Sequence, residues 1–519
     1  MKHRPSFWPV LLLIISLAGT APAVHRAPPT LPLPCGPTAL RQILVPPPQV
    51  DVATLPLNAT GEHELILSVH RDGKGVMERF CYRSVVAGSL QFDAPVIRVH
   101  RGEHFALRIV NDLSGQSKGE HVSSAQIPMC MPMSMRASPV KHYSGYLNHV
   151  LYDHYMSAKP EDTNIHFHGF QGPAMEENVF VSTLSTPMHA CEYHITIPPT
   201  QPVGTYFYHP HVHGASGEEV ASGLSGAWIV EPDKPQIPRA SEHVLIMRYQ
   251  IPYANDYNFI PDVTAFVLAE ASHQAHMRLT SPLVTYDPFN PPEWPSDTPI
   301  RAGGMTLTSN TCEGLASEAA ITLDGARIPA ALDVPENRPQ LLRIVNATSD
   351  SPKLLQLRDQ TGAPQTLHVV GRDGVPVSND PDRPLAQYLP MKSVMLEPAG
   401  RVDVLVTAAP GQTLTLSTEH FCEGLDMFFQ MHHDLMRIQT VPSNAPAQPE
   451  LSSLPVDPRE TAAWRLMVYA RSHPRLIHRR AITFTEYILP KAGKIPVHEA
   501  FFITDTTDRH FHEHPFWPT

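Results

Sequence analysis

The sequence predicts an all-β protein organised as two related β-sandwiches, and three observations lead there. Proline is counted at 55 in 519 residues, about twice its usual ~5% share, and long leucine- and alanine-rich runs are scarce beyond the first thirty residues. The stretch Val96-Ile-Arg-Val-His-Arg-Gly-Glu-His-Phe-Ala-Leu-Arg-Ile-Val-Asn111 alternates apolar and polar residues around a Gly-Glu turn, the period-2 signature of paired strands. Its last five residues, Leu107 to Asn111, recur identically at Leu342 to Asn346. Each copy leads on to another strand-rich stretch, Gly226-Ala-Trp-Ile-Val230 in one case and Arg401-Val-Asp-Val-Leu-Val406 in the other. A duplicated sandwich is the economical reading.

Taken in order, residues 1–23 read as a secretory signal: a basic start at Lys2 and Arg4, an apolar stretch from Phe7 to about Gly19, and Ala21-Pro22-Ala23 before the expected cleavage. That apolar run is shorter than the ~20 residues that span a bilayer, so a periplasmic or secreted protein with no membrane span after cleavage is expected. A Pro-rich lead segment follows over 24–57, then a first domain over 58–236 and a second over 237–445. Residues 446–519 read as a linker and the incomplete start of a third domain. Arg480-Ala-Ile-Thr-Phe-Thr-Glu486 looks like its opening strand, and fewer residues follow than the ~100 a sandwich needs.

The formal net charge is -11 and no dense Lys/Arg run occurs, which argues against nucleic acid as a partner. The cysteines are 35, 81, 130, 191, 312 and 422; an oxidising compartment permits disulfides among them, with connectivity open. Cys312 and Cys422 share the context Cys-Glu-Gly-Leu, which makes them one candidate pair. Of the 30 histidines, scattered ones such as His70 and His243 read as surface residues. Only spacing promotes a histidine to a ligand.

Two groups pass that test. Thr163-Asn-Ile-His-Phe-His-Gly169 is strand-like, and in a strand residues i and i+2 project from one face about 6 to 7 Å apart, so His166 and His168 can serve one metal or two adjacent ones. Gly204-Thr-Tyr-Phe-Tyr-His-Pro-His-Val-His-Gly214 repeats the device with His209 and His211. Pro210 has no N–H to offer a central ladder, so this pair belongs at a strand end or edge. A lone His-x-His arises by accident on surface strands. Two within fifty residues, each flanked by aromatics and closed by glycine, predict a metal site. Imidazole alone leaves copper and zinc open.

These runs, with Ala221-Ser-Gly-Leu-Ser-Gly-Ala-Trp-Ile-Val230, resemble the first two copper motifs of the multicopper oxidases, the laccase-like enzymes. Ile321-Thr-Leu-Asp-Gly-Ala-Arg-Ile-Pro329, Leu342-Arg-Ile-Val-Asn-Ala347, Arg372-Asp-Gly374 and Arg401-Val-Asp-Val404 are similar to that family's middle domain. The resemblance implies tandem cupredoxin-like Greek-key sandwiches, two complete and a third only begun. It implies copper as cofactor, with His166 on the type 2 copper and His168, His209 and His211 on the type 3 pair, and a supporting role for His213. It further implies O2 as a partner, reduced to water at the expense of a phenolic or metal-ion substrate.

The family's remaining ligands come from a His-Pro-x-His-x-His run and a His-Cys-His run in a third domain, and no cysteine follows Cys422 here. The chain therefore carries half of the trinuclear ligand set and lacks the type 1 motif. If it ends at residue 519, no laccase-type turnover is expected, and the alternatives are a non-catalytic exported copper-binding protein or a two-domain oligomeric copper enzyme. Cys422, His432 or His433 and Met436 follow the order of a type 1 site, but a disulfide at Cys422 with loop histidines beside it is the preferred reading. Met129-Cys-Met-Pro-Met-Ser-Met135 offers soft thioethers for Cu(I), or adaptable packing.

Overall fold

The computed structural model describes residues 41–72, 79–86, 89–91, 93–113, 131–132, 162–179, 181–183, 190–212, 216–233, 237–249, 276–280, 300–302, 305–307, 311–316, 321–348, 352–377, 388–419, 421–422, 428–430, 432–443, 469, 473, 482–489, 498–505 and 514–516. The expected signal and the first half of the lead segment lie outside these residues. Almost every regular element is a strand. The first fourteen are β1 (Arg41–Ile43), β2 (Gln49–Asp51), β3 (His63–Asp72), β4 (Arg79–Val86), β5 (Ser89–Gln91), β6 (Val96–Val99), β7 (His104–Asp112), β8 (Met131–Pro132), β9 (His166–His168), β10 (Val181–Ser182), β11 (Ala190–Thr196), β12 (Gly204–His209), β13 (Gly226–Val230) and β14 (Glu242–Tyr249). A short helix, α1 (Ser216–Ala221), lies between β12 and β13.

Two five-stranded sheets make the first sandwich, in the orders β2-β6-β13-β12-β9 and β11-β7-β3-β4-β5. Their inner faces enclose a core that includes Leu65, Phe105, Leu107, Phe167, Tyr206, Tyr208 and Trp228. The sequence pairs the two strands of Val96–Asn111 with each other, and the structure does not. β6 lies in one sheet beside β2 and β13, and β7 in the other between β3 and β11. The Arg101–Gly102 turn thus carries the chain across the core rather than around a hairpin. The reason is burial on both faces: all of β6, and β7 from Phe105 to Asp112, is enclosed, which a solvent-faced hairpin does not require.

The next eighteen strands are β15 (His276–Thr280), β16 (Ile300–Ala302), β17 (Met305–Leu307), β18 (Thr311–Ala316), β19 (Ile321–Leu323), β20 (Ala326–Pro335), β21 (Gln340–Asn346), β22 (Lys353–Asp359), β23 (Pro364–Gln365), β24 (Leu367–Arg372), β25 (Val375–Pro376), β26 (Leu389–Met391), β27 (Val394–Leu396), β28 (Arg401–Val406), β29 (Thr413–Glu419), β30 (Phe421–Cys422), β31 (Phe428–Gln430) and β32 (His433–Val441). The second sandwich is one rolled sheet whose main path runs β23-β22-β29-β32-β20-β19-β14-β21-β28-β24-β25. β20 turns the corner: its start pairs with β19 and its later residues with β32. Pro329, which has no ladder N–H to lose, sits between the two pairings. The strands β33 (Ile482–Leu489), β34 (His498–Asp505) and β35 (His514–Phe516) form a separate three-stranded sheet, and β33 covers the strand expected from Arg480.

The sandwiches meet across the outer face of β6, β12 and β13. Val96, Phe207, Ala227 and Ile229 pack there against Val244, Ile246, Val345 and Ala347. Polar groups edge this cluster. Arg98 is ion-paired with Glu231 and Glu242; Glu242 also holds Arg343 (2.9 Å), which reaches Asp403 (3.0 Å). The Thr205 hydroxyl donates to Asp403 Oδ1 (2.5 Å). A buried ion pair is stable only when such partners compensate its lost hydration.

Candidate metal centre

β9 and β12 are antiparallel neighbours in the register His168 to Phe207 and His166 to His209. Alternation along β12 sends Tyr206 and Tyr208 into the core of the first sandwich and Phe207 and His209 to the opposite face. Along β9, Phe167 enters the same core while His166 and His168 face outward with His209. Two His-x-His runs that are 41 residues apart in sequence therefore share one surface. As the proline predicts, β12 ends at His209 and Pro210 lies beyond it.

All four predicted ligands come together. The ring of His166 lies 5.6 Å from that of His168, 5.3 Å from His209 and 4.9 Å from His211, centroid to centroid. A ligand atom from each of His166, His168 and His209 falls within 4.8 Å of the others. His168 Nδ1 and His209 Nε2 face each other at 3.4 Å. The ring of His209 stacks on Phe207 at 4.6 Å.

Neighbours fix which nitrogen each ring presents. His209 Nδ1 lies 2.7 Å from the Pro210 carbonyl; that oxygen can only accept, so Nδ1 carries the hydrogen and Nε2 keeps the lone pair. Glu177 Oε2 accepts the Phe167 N–H (2.7 Å) and lies 3.1 Å from His166 Nδ1, which leaves His166 Nε2 as the ligand atom in the same way. Asn164 joins the two motifs. Its Oδ1 accepts the His211 N–H (2.6 Å), and its Nδ2 donates to the Val179 and Val181 carbonyls (3.1 Å each), on either side of the segment that follows Glu177.

Burial pushes the His168 imidazole down to about 3, with further lowering from Arg401, His166 and His211. Burial likewise drives His209 well below the usual range, helped by His166 and His168. Both rings are neutral at physiological pH, the form that binds a metal. The His166 side chain is 21% exposed, which leaves an approach from solvent. An all-imidazole, partly accessible group fits a borderline ion such as copper.

Sequence reasoning missed Glu177 and Asn164. Glu177 has no diagnostic spacing, because a loop rather than a strand period delivers it. Gly169 has a φ of +89°, and a Cβ there would lie 2.7 Å from the Tyr206 ring and 3.3 Å from Arg401, so the space it leaves is filled by those side chains. His70, read as a surface residue, is buried and paired with Asp112 at 3.0 Å. Of the type 1 candidates, His432 is 44% exposed and Met436 is enclosed in the second core. Cys81 and Cys191 are both disulfide-bonded. His213 and the side chains of Met129 to Met135, Cys312 and Cys422 lie outside the described residues.

Residues 154–235 match a family model described as multicopper oxidase, and this span contains all four histidines together with Glu177 and Asn164. Similar solved structures include the multicopper oxidase McoA of Aquifex aeolicus (17% identity, TM-score 0.46, covering 80% of this chain and 69% of that one). Others are the laccase-like CueO of Ochrobactrum sp. (16%, 0.45, 80% and 68%) and a metallo-oxidase of Campylobacter jejuni (18%, 0.42, 81% and 68%). The likeness to the multicopper oxidase family thus falls on the segment that carries the histidine cluster.

Proposed function

We propose that the chain is an exported copper-binding oxidoreductase in which His166, His168, His209 and His211 are metal ligands at a site that reduces O2. The observation that carries this reading is the convergence of four imidazoles, two of them held neutral by burial, on the outer face of β9 and β12. Copper held there would supply one-electron redox chemistry between a phenolic or metal-ion donor and O2. The chain's own residues do the positioning. Glu177 and the Pro210 carbonyl set the tautomers of His166 and His209, and Asn164 keeps the second motif in register with the first. The site's edge stays open for O2 and for further ligands. Among the described residues, no helix is long and apolar enough to cross a membrane; the composition of residues 1–23 supports export, which N-terminal sequencing of the released protein tests.

A second reading is non-catalytic copper binding. It is favoured by the ligand group itself, since among the described residues nothing besides these histidines joins the cluster. Copper content and oxygen uptake separate the two. The oxidase reading requires bound copper and steady O2 consumption with a phenol or Cu(I), both lost in His166→Ala and His209→Ala. Copper retention without O2 uptake selects the binding protein, and an absence of copper in the wild type overturns both.

A further inference from the structure

We propose that Glu62, His104 and His194 form a separate site for a divalent cation of the zinc or copper(II) type, on the outer face of the other sheet of the first sandwich. β7 and β11 pair with Thr196 opposite His104, His194 opposite Ala106 and Glu192 opposite Arg108. Residues 104, 106 and 108 therefore share a face with 192, 194 and 196. The two histidines are diagonal neighbours, with the small Ala106 covered beside them.

Glu62 enters from the turn before β3. It is held there by hydrogen bonds from its own N–H to Asn58 Oδ1 (2.9 Å) and from the Asn58 N–H to its carbonyl (2.8 Å). Its Oε1 lies 2.5 Å from His104 Nε2 and 2.9 Å from His194 Nδ1, while its Oε2 accepts the Thr60 hydroxyl at 2.7 Å. The three ligand atoms lie within 4.8 Å of one another. Two imidazoles and one carboxylate, with solvent on the open side, make a three-ligand site with room for water.

The surroundings orient this group as they would a metal site. The far nitrogen of His104, Nδ1, lies 2.9 Å from Thr196 Oγ1, and that of His194, Nε2, lies 3.4 Å from Glu192 Oε1. Glu192 is in turn fixed by Arg108 at 2.7 Å. Carboxylate and hydroxyl partners on the second ring nitrogen are what a metal-bound histidine ordinarily has. Burial acts to raise the Glu62 carboxyl, yet hydrogen bonds from Thr60, His194 and His104 outweigh it and bring the group to about 2, so it is anionic at neutral pH. Bonds of about 2.1 Å to a tetrahedral ion separate ligand atoms by roughly 3.4 Å, and side chains 45% and 50% exposed can open that far.

The site is distinct from the β9/β12 cluster because the apolar core, with Phe105 against Phe167 at 6.3 Å, lies between the two faces. Zn2+ alone is the probe. Calorimetric titration of the full chain should show one more Zn2+ bound than in Glu62→Gln or His194→Ala, or a tenfold or greater weakening of that one site. The His166→Ala variant should keep it. Circular dichroism checks that the exposed substitutions leave the fold intact, with His104→Ala as an independent variant. If Glu62→Gln, His194→Ala and His104→Ala all bind Zn2+ with wild-type stoichiometry and affinity, the cluster is only a hydrogen-bonded surface group and the proposal fails.

Discussion

The pentapeptide Leu-Arg-Ile-Val-Asn lies in β7 of the first sandwich and in β21 of the second, each time between a parallel strand and an antiparallel one. Its asparagine does the same work twice. Asn111 Nδ2 donates to the Thr183 carbonyl (2.9 Å) and its Oδ1 accepts the Leu113 N–H (3.0 Å); Asn346 Nδ2 donates to Leu396 (2.9 Å) and its Oδ1 accepts from Thr348 (3.2 Å). Even the arginine partners correspond: Glu64 and Glu192 for Arg108, Glu242 and Asp403 for Arg343.

The surroundings differ. Both arginines are buried, but Arg108 sits beside the His104 and His194 cluster with carboxylate partners 13% and 16% exposed, whereas Arg343 sits where the sandwiches meet, its partners 6% and 9% exposed, and also donates to Thr205 Oγ1 of β12 (2.9 Å). The strand orders β2-β6-β13-β12-β9 and β1-β20-β32-β29-β22 also correspond. Yet β9 and β12 carry the histidine pairs, while β22 and β29 carry Leu355, Leu357, Leu414 and Leu416 in a closed apolar core. On the proposed reading, one scaffold serves for chemistry in the first copy and for support in the second.

The largest expected effect breaks this comparison at the arginines. Arg343→Ala takes from buried Asp403 its arginine and from Glu242 one of its two, and should cost about 3–5 kcal/mol; Arg108→Ala, whose carboxylate partners keep more contact with water, should cost about 1–2 kcal/mol. Urea unfolding midpoints measure both, and equal losses would mean that the two settings do not differ. Next is metal binding. Glu177→Gln should weaken copper binding by about 10–100-fold through loss of His166 orientation, while His368→Ala in the second sandwich should leave copper content unchanged. A drop in copper for His368→Ala, read by elemental analysis, would contradict the division of labour.

Asn111→Ala and Asn346→Ala should each cost about 1–3 kcal/mol, because each orphans buried backbone groups. A large inequality between them would show that the duplication is only superficial.

The smallest effect is a pH slope. His168 is neutral in the folded chain down to about 3, while its unfolded counterpart takes up a proton below about 6.5. Between those values the unfolded state binds more protons, so stability falls as pH falls, by up to about 1.4 kcal/mol per pH unit from this group. In metal-free protein, His168→Asn should flatten that slope between pH 3 and 6.5. An unchanged slope would mean that His168 takes up its proton in the folded chain as well.

By itself the sequence determined what repeats locally. Alternating apolar residues announced strands, an identical pentapeptide announced duplication, and i, i+2 histidines had to share a face because strand geometry leaves no other choice. Only the tertiary structure decided the rest. It showed that β6 and β7 belong to different sheets, that Gly169 makes room for Tyr206 and Arg401, and that Glu177 is the group that orients His166. It also brought Glu62, His104 and His194 together from three separate segments. The physical reason is common to all of these. Their partners are set by which sheet faces pack together, and long-range packing has no period along the chain for a sequence to display.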